Sequence, residues 1–287
     1  MTRRTALTIA RWAGGLALAA AILVGGSMLL EDGFIYFPVK LPASWTAAAS
    51  GLVPEGLAVE ECRFETADGV QLHGLLCRTA SLPNEADGRR VLLWFHGNAG
   101  NLSNRLDMLG DLCRLSVEIF IIDYRGYGLS EGKPSEKGLY EDARAAWDYL
   151  TLERKIEPAR IVIFGKSLGG AVAVDLATRV RPAGLIVQSA FTSVPDMAAV
   201  AMPFVPRFLI RTKLDSLHKV RDIRCPKLFI HSPADEIIPY AMGRRLFETA
   251  PEPKAFHEVA GSGHNETWLV GGGAYFRHLQ EFIDSLD

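Results

Sequence analysis

The sequence predicts one α/β domain built on a mainly parallel central sheet with helices on both faces, preceded by a transmembrane helix. Three observations predict it. Beyond residue 57, short β-branched apolar runs alternate with helix-forming segments, the pattern of a parallel sheet covered on both sides. One run, Ile161-Val-Ile-Phe164, passes at once into Gly165-Lys-Ser-Leu-Gly169 and then into the helix-forming stretch Ala171–Arg179. Finally, Trp12–Leu30 carries no charge and is almost wholly apolar.

As a helix the Trp12–Leu30 run is about 28 Å long, one hydrocarbon core. Arg3, Arg4 and Arg11 precede it, and Glu31 and Asp32 follow. The positive-inside rule then puts the N-terminus in the cytoplasm and the rest of the chain on the extracytoplasmic side. The alternative is a cleaved signal peptide and a secreted product. No clean A-x-A site follows the run, although Gly25-Gly-Ser27 supplies small residues, and the twin-arginine context of Arg3-Arg4 is poor. An uncleaved single-pass anchor is the favoured reading. Residues 1–32 then form a cytoplasmic stub and anchor, 33–56 a connector, and 57–287 the globular domain. In the connector, Phe34-Ile-Tyr-Phe-Pro38 belongs either at the membrane interface or packed on the domain.

Within the domain, Val59–Glu65 and Val70–Cys77 read as a hairpin about Asp68-Gly69. Arg90–Phe95 is a strand that ends at His96-Gly-Asn-Ala-Gly-Asn101, where Asn101 is placed to cap a helix running to about Leu115. Glu118–Tyr124 is a strand, followed by the loop Arg125–Gly132. Leu139–Leu152 is helical. Ile161–Phe164 is the strand before the tight turn, and Ala171–Arg179 the helix after it. Leu185–Ser189, Lys227–His231 and Ala255–Val259 are the remaining strands, and Ala274–Leu286 closes the chain as a helix. The segment at about 191–224 is too short for a full lid domain. Its apolar run Met197–Leu209 holds two prolines and predicts a short cap, either a helix packed on the core or one wall of an acyl pocket.

Composition narrows the field. The 287 residues include 31 basic and 33 acidic side chains, a net charge of -2, and no basic stripe, so a nucleic-acid partner is not expected. A hydrophobic content of 48% suits one large folded domain. The four cysteines form no C-x-x-C pair, which argues against structural zinc. Cys62 and Cys77 flank the hairpin turn. They read either as a disulfide in an oxidising compartment or as small buried hydrophobes.

The chemistry gathers where strands end. A turn this tight demands small residues two before and two after its serine, and Gly165 and Gly169 meet that demand. The Ser167 hydroxyl is lifted toward the positive end of the following helix. A serine hydroxyl is a weak nucleophile at neutral pH. It needs a base to take its proton and an acid to orient that base. His264, in Gly261-Ser-Gly-His-Asn265, follows the last strand, and Asp235 closes Leu228–Asp235. Asp235 competes with Glu236 and with Asp123. Asp123 precedes the nucleophile, and Arg125 offers it an ion pair, so Asp235 is preferred. His96 reads as shaping its own loop through ring hydrogen bonds. His73, His218, His231, His257 and His278 read as structural or surface residues. The backbone N–H groups of Leu168 and Asn98 are the expected donors to an oxyanion.

Five stretches together, His96–Asn101, Asp123–Gly132, Gly165–Gly170, Ser189–Ser193 and Gly263–Asn265, resemble the serine α/β-hydrolases. They are most similar to the membrane-tethered bud-emergence-46-like group, which has related eukaryotic protein depalmitoylases. The resemblance runs from about Phe34 to the C-terminus and is specific for fold and triad, not for substrate. It implies an α/β-hydrolase fold with Ser167 as nucleophile, His264 as base and Asp235 as orienting acid. It also implies no metal or cofactor, while the anchor together with the apolar cap suits a small-molecule or lipid-like acyl substrate cleaved at an ester or thioester. Relatives that dehalogenate or open epoxides carry Asp at the nucleophile position, and dienelactone-type relatives carry Cys. Lys166 stands where related sequences often have other polar residues, with little effect expected on the chemistry. The alternatives are an aminopeptidase-like serine peptidase on the same fold and a non-catalytic binding protein. The sequence does not specify an oligomeric state.

Overall fold

The computed structural model describes residues 31–79, 89–115 and 117–286. The predicted membrane span, Trp12–Leu30, lies outside them. Among the described residues no helix is long and apolar enough to cross a membrane.

Among the described residues eight strands form one sheet. They are β1 (Leu57–Glu65), β2 (Gln71–Thr79), β3 (Arg90–Phe95), β4 (Val117–Asp123), β5 (Ile161–Lys166), β6 (Gly184–Gln188), β7 (Lys227–His231) and β8 (Lys254–Glu258). Their spatial order is β1-β2-β4-β3-β5-β6-β7-β8. Only β2 opposes its neighbours, and every other pairing is parallel. The near-continuous apolar character of the central strands follows from burial on both faces. In β3, Val91, Leu93 and Phe95 face one core, while Leu92 and Trp94 face the other. Helices Glu136–Asp148, Leu168–Arg179 and Tyr240–Thr249 cover the first face. Leu106–Leu112 and Thr267–Asp284 cover the second. Each large apolar side chain so enclosed contributes about 1.5–3 kcal/mol.

The strands lie within two residues of their predicted bounds, and the helices differ more. Asn101 does accept a hydrogen bond from the Ser103 N–H, but it starts a 3-10 turn, Leu102–Arg105, and the α-helix spans only Leu106–Leu112. The helix after the tight turn begins at Leu168, three residues earlier than predicted. The closing helix begins at Thr267 and is interrupted at Gly272, where φ is 48°. Tyr240–Thr249 was not anticipated.

The connector packs on the domain. Pro38 bridges to Gly100 and Lys40 to Gly128, and Tyr36 is buried. Cys62 and Cys77 settle as separate buried thiols. Cys62 pairs with Gly74 across the hairpin, three residues from Cys77, so the two side chains point to opposite faces of the sheet and into different cores. That register rules out a bridge between them.

Candidate active site

The turn after β5 holds Ser167 at φ 56° and ψ -120°, a conformation that L-residues seldom adopt. The surroundings enforce it. The Ser167 N–H donates to Gln188 O at 2.9 Å, and the Gly170 N–H donates back to Ser167 O at 2.9 Å. A Cβ on Gly165 would lie 2.2 Å from Gly169 O, and one on Gly169 would lie 2.0 Å from Phe95 O. Here glycine is required by backbone approach, strand against helix.

His264 reaches Ser167 from the loop after β8. Its Nε2 lies 3.1 Å from Ser167 Oγ, and its Nδ1 lies 2.8 Å from Asp235 Oδ2. The carboxylate at Nδ1 selects the tautomer with the proton there, which leaves Nε2 to accept from the serine hydroxyl. The Asp235 side chain is fully buried. Burial alone would raise its carboxyl, but hydrogen bonds from His231, His264 and the Ile238 N–H outweigh that and hold it below the usual carboxylate range. Glu236, the competing acid, instead accepts the His264 backbone N–H at 2.9 Å and so fixes the loop that carries the imidazole.

Asp123 lies elsewhere, and its expected ion pair with Arg125 is not formed. Arg125 pairs with Asp68 and Asp142, each at 2.8 Å. Asp123 accepts the Leu102 N–H at 2.8 Å, and it faces His96 Nε2 at 3.5 Å and His73 Nδ1 at 3.9 Å. Burial opposes its charge, yet the facing His73 and His96 imidazoles and the Leu102 N–H keep its carboxyl below the usual range. This cluster supports the loop under Ser167. His96 Nδ1 lies 2.7 Å from Gly97 O, and Tyr124 Oη donates to His96 O at 2.8 Å. A Cβ on Gly97 would sit 3.4 Å from Ser167 Cβ.

The Asn98 side chain is already engaged, accepting from the Phe37 N–H of the connector at 3.1 Å and from the Tyr127 hydroxyl of the loop after β4 at 2.8 Å. Among the described residues the N–H groups of Asn98 and Leu168 enter no turn, loop or cap hydrogen bond. Both residues border the same cavity as Ser167 and His264. That cavity, of about 560 Å³, has an apolar wall from Phe34, Phe37, Phe191, Val194, Met197 and Met202. The predicted cap thus supplies part of the wall. It is the short helix Val194–Ala201, whose Ser193 cap accepts from the Asp196 N–H. Only Ala198 of that helix is buried.

Three further residues gather near the triad: His231, which the sequence reading placed among the structural or surface histidines, Lys166, of which it expected little effect, and Arg105, which it did not single out. His231 is buried against Asp235. Arg105 and Lys166 line the cavity. Burial, with Arg105 close by, pushes the Lys166 ammonium down to about 8. The i, i+4 spacing of His231 and Asp235 was a faint signal, and Arg105 carried none. Among the described residues no group of three or more His, Cys, Asp or Glu is arranged to hold a metal ion.

Comparison with known proteins bears on the family and the fold. Residues 86–221 match the family model "Serine aminopeptidase, S33". An uncharacterized protein of Mycobacterium tuberculosis strain H37Rv is 36% identical over 273 residues, 93% of each chain. Protein bem46 of Schizosaccharomyces pombe is 31% identical over 97% of this chain and 94% of its own. Among solved structures, the Pyrococcus furiosus esterase Pf2001 superposes with a TM-score of 0.70, covering 88% of this chain and 98% of the esterase, at 17% identity, a likeness of fold.

Proposed function

The chain belongs to the bem46-like family of α/β-hydrolases, and from that premise we propose that it is a membrane-anchored serine hydrolase that cleaves carboxylic esters or thioesters through an acyl-enzyme. The observation that carries the reading is the unbroken contact chain from Ser167 Oγ through His264 to Asp235 at the floor of a largely apolar cavity.

In this reading Ser167 Oγ attacks the acyl carbon while its proton passes to His264 Nε2. Asp235 holds the imidazole in register and stabilises its charged form. The Leu168 and Asn98 N–H groups receive the oxyanion. Collapse expels the alcohol or thiol, which takes the proton from His264. Water then repeats the sequence on the acyl-enzyme, its proton going to His264 and finally back to Ser167 as the carboxylic acid leaves.

The anchor would hold the cavity near a lipid surface. Phe34 and Phe37, which follow the predicted span, are 68% and 53% exposed and line the cavity. Phe204 and Phe208 of the cap are each 81% exposed. This suits amphiphilic acyl substrates, with the catalytic domain on the extracytoplasmic side. An aminopeptidase would need a carboxylate for the substrate amine, and no Asp or Glu lines the cavity among the described residues.

Labelling with a fluorophosphonate probe tests the reading. The wild type should label and Ser167→Ala should not. A folded wild type that fails to label overturns the serine mechanism. Equal turnover of short soluble and long-chain esters would overturn the amphiphilic substrate.

A further inference from the structure

Lys166 directly precedes the nucleophile, and its half-buried ammonium turns into the cavity. Its Nζ donates to Asn265 O at 3.5 Å, beside His264. Arg105, from the turn after β3, meets the same cavity and donates to Ala99 O at 2.5 Å and Asn104 O at 3.5 Å. The two cations lie close enough that Arg105 depresses Lys166. Neither forms an ion pair among the described residues. The carboxylates whose charge reaches them are already engaged, Asp235 with His264 and His231, Asp123 with His96 and His73. Two neighbouring, partly buried cations on one cavity wall, with donors to spare and no ion-pair partner among the described residues, leave a place that an anion would complete.

The side of the cavity matters. The aromatic and aliphatic wall offers room for an acyl chain. Lys166 instead reaches the residue after His264, and His264 is the group that hands its proton to the leaving group.

We propose that Lys166 and Arg105 form an anion subsite on the leaving-group side of Ser167, so that the preferred ester or thioester carries a phosphoryl-type group on its leaving group. This deepens the serine-hydrolase reading and rests on it. It also gives Lys166 a part in substrate choice, where the sequence alone implied little effect.

The test uses the full-length protein in detergent and the ratio of kcat/KM for two matched pairs. One pair is lysophosphatidic acid against monoacylglycerol of the same chain. The other is a soluble butyrate ester of glycerol phosphate against that of glycerol. The wild type should favour the phosphate member about tenfold or more in both pairs, the worth of one charge-assisted hydrogen bond. In Lys166→Met/Arg105→Met the ratio should fall to near one, and Lys166→Arg should restore much of it. A wild-type ratio near one, or a ratio that survives the double substitution, overturns the subsite. So does a preference confined to the lipid pair, which would trace to charge on the micelle surface. A second readout does not need turnover. Glycerol phosphate should raise the Tm of Ser167→Ala and not of Ser167→Ala/Lys166→Met/Arg105→Met, and the absence of that shift also counts against the subsite. Fluorophosphonate labelling and turnover of the neutral esters report separately on the serine mechanism, so the two failures are told apart.

Discussion

His231 Nε2 lies 3.3 Å from Asp235 Oδ2, the oxygen that His264 Nδ1 meets at 2.8 Å. The same Nε2 lies 3.1 Å from Ile238 O, so its proton sits between a carbonyl and the carboxylate. His231 is thus a positioning residue. It holds Asp235 charged and aimed, and touches no substrate. Replacing it by Leu should lower kcat about tenfold, the worth of one hydrogen bond to a charged group, with KM little changed. His231→Gln, which keeps a donor, should recover part of the loss. Steady-state kinetics on a neutral ester checks this, and an equal loss in both variants would mean that only the ring's packing matters.

Gly169 should tolerate no side chain. A Cβ there would meet Phe95 O at 2.0 Å, and both partners are backbone. Gly169→Ala must therefore push the elbow helix off β3. The expected cost is about 3 kcal/mol, at the upper end of overpacking effects. Urea unfolding measures it, and a near-neutral result would mean that strand and helix separate more easily than their contact implies.

These glycines also show where the sequence could and could not be read. Strands β3 and β7 stand at their predicted ends because their residues are apolar on both faces and the turn signals beside them are local. The helix after Ser167 looked as if it began at Ala171, since Gly169-Gly170 reads as a turn. In fact Gly169 is dictated by Phe95, a long-range contact. Tyr240–Thr249 was hidden in the same way. Gly243 interrupts its helical pattern, and it is there because a Cβ would lie 2.1 Å from His231 Nδ1. Ser167, His264 and Asp235 could be singled out because each lies in a chemically marked loop that follows a strand. Arg105 was not, because nothing local tells a solvated arginine from one turned into a cavity. Arg125 failed for a related reason. Proximity in sequence suggested Asp123, while the fold delivered Asp68 and Asp142.

That last network has a pH signature. Asp142 is fully buried, and burial, only partly offset by Arg125, raises its carboxyl to about 6. Its folded value exceeds the ordinary one, so the folded chain holds the extra proton between 3.8 and about 6, and this group's contribution to stability falls as pH rises through 6. Arg125→Met would leave Asp142 buried without its cation. The expected destabilisation is about 3–5 kcal/mol where Asp142 is ionised. Denaturant melts should show a much smaller deficit at pH 5 than at pH 8. A deficit independent of pH would assign the loss to the Arg125 side chain's packing.

Removing residues 1–30 should release the protein from the membrane pellet while fluorophosphonate labelling persists. In intact cells, protease should reach the domain of the full chain only from the extracytoplasmic side. A truncated chain that pellets as fully as the complete one would shift the attachment to the exposed aromatics Phe34, Phe37, Phe204 and Phe208.

Lys166 should make the protein less stable below pH 8 than above it. Its folded value, about 8, lies below the ordinary 10.5. Between those values the unfolded chain binds a proton that the folded chain does not, so stability rises with pH across that window, and below it the full penalty is present. Lys166→Met escapes the penalty. It should melt about 2–4 °C higher than wild type at pH 7, the shift expected for ~1 kcal/mol in a domain of this size. The gap should narrow as pH climbs past 8, and it should also narrow at pH 7 when glycerol phosphate supplies the missing counter-charge. Scanning calorimetry at the two pH values, with and without the ligand, separates these effects. An anion that raises the wild-type Tm alone would tie the strain on Lys166 to substrate recognition, because a lysine held charged for stability would gain nothing from the ligand.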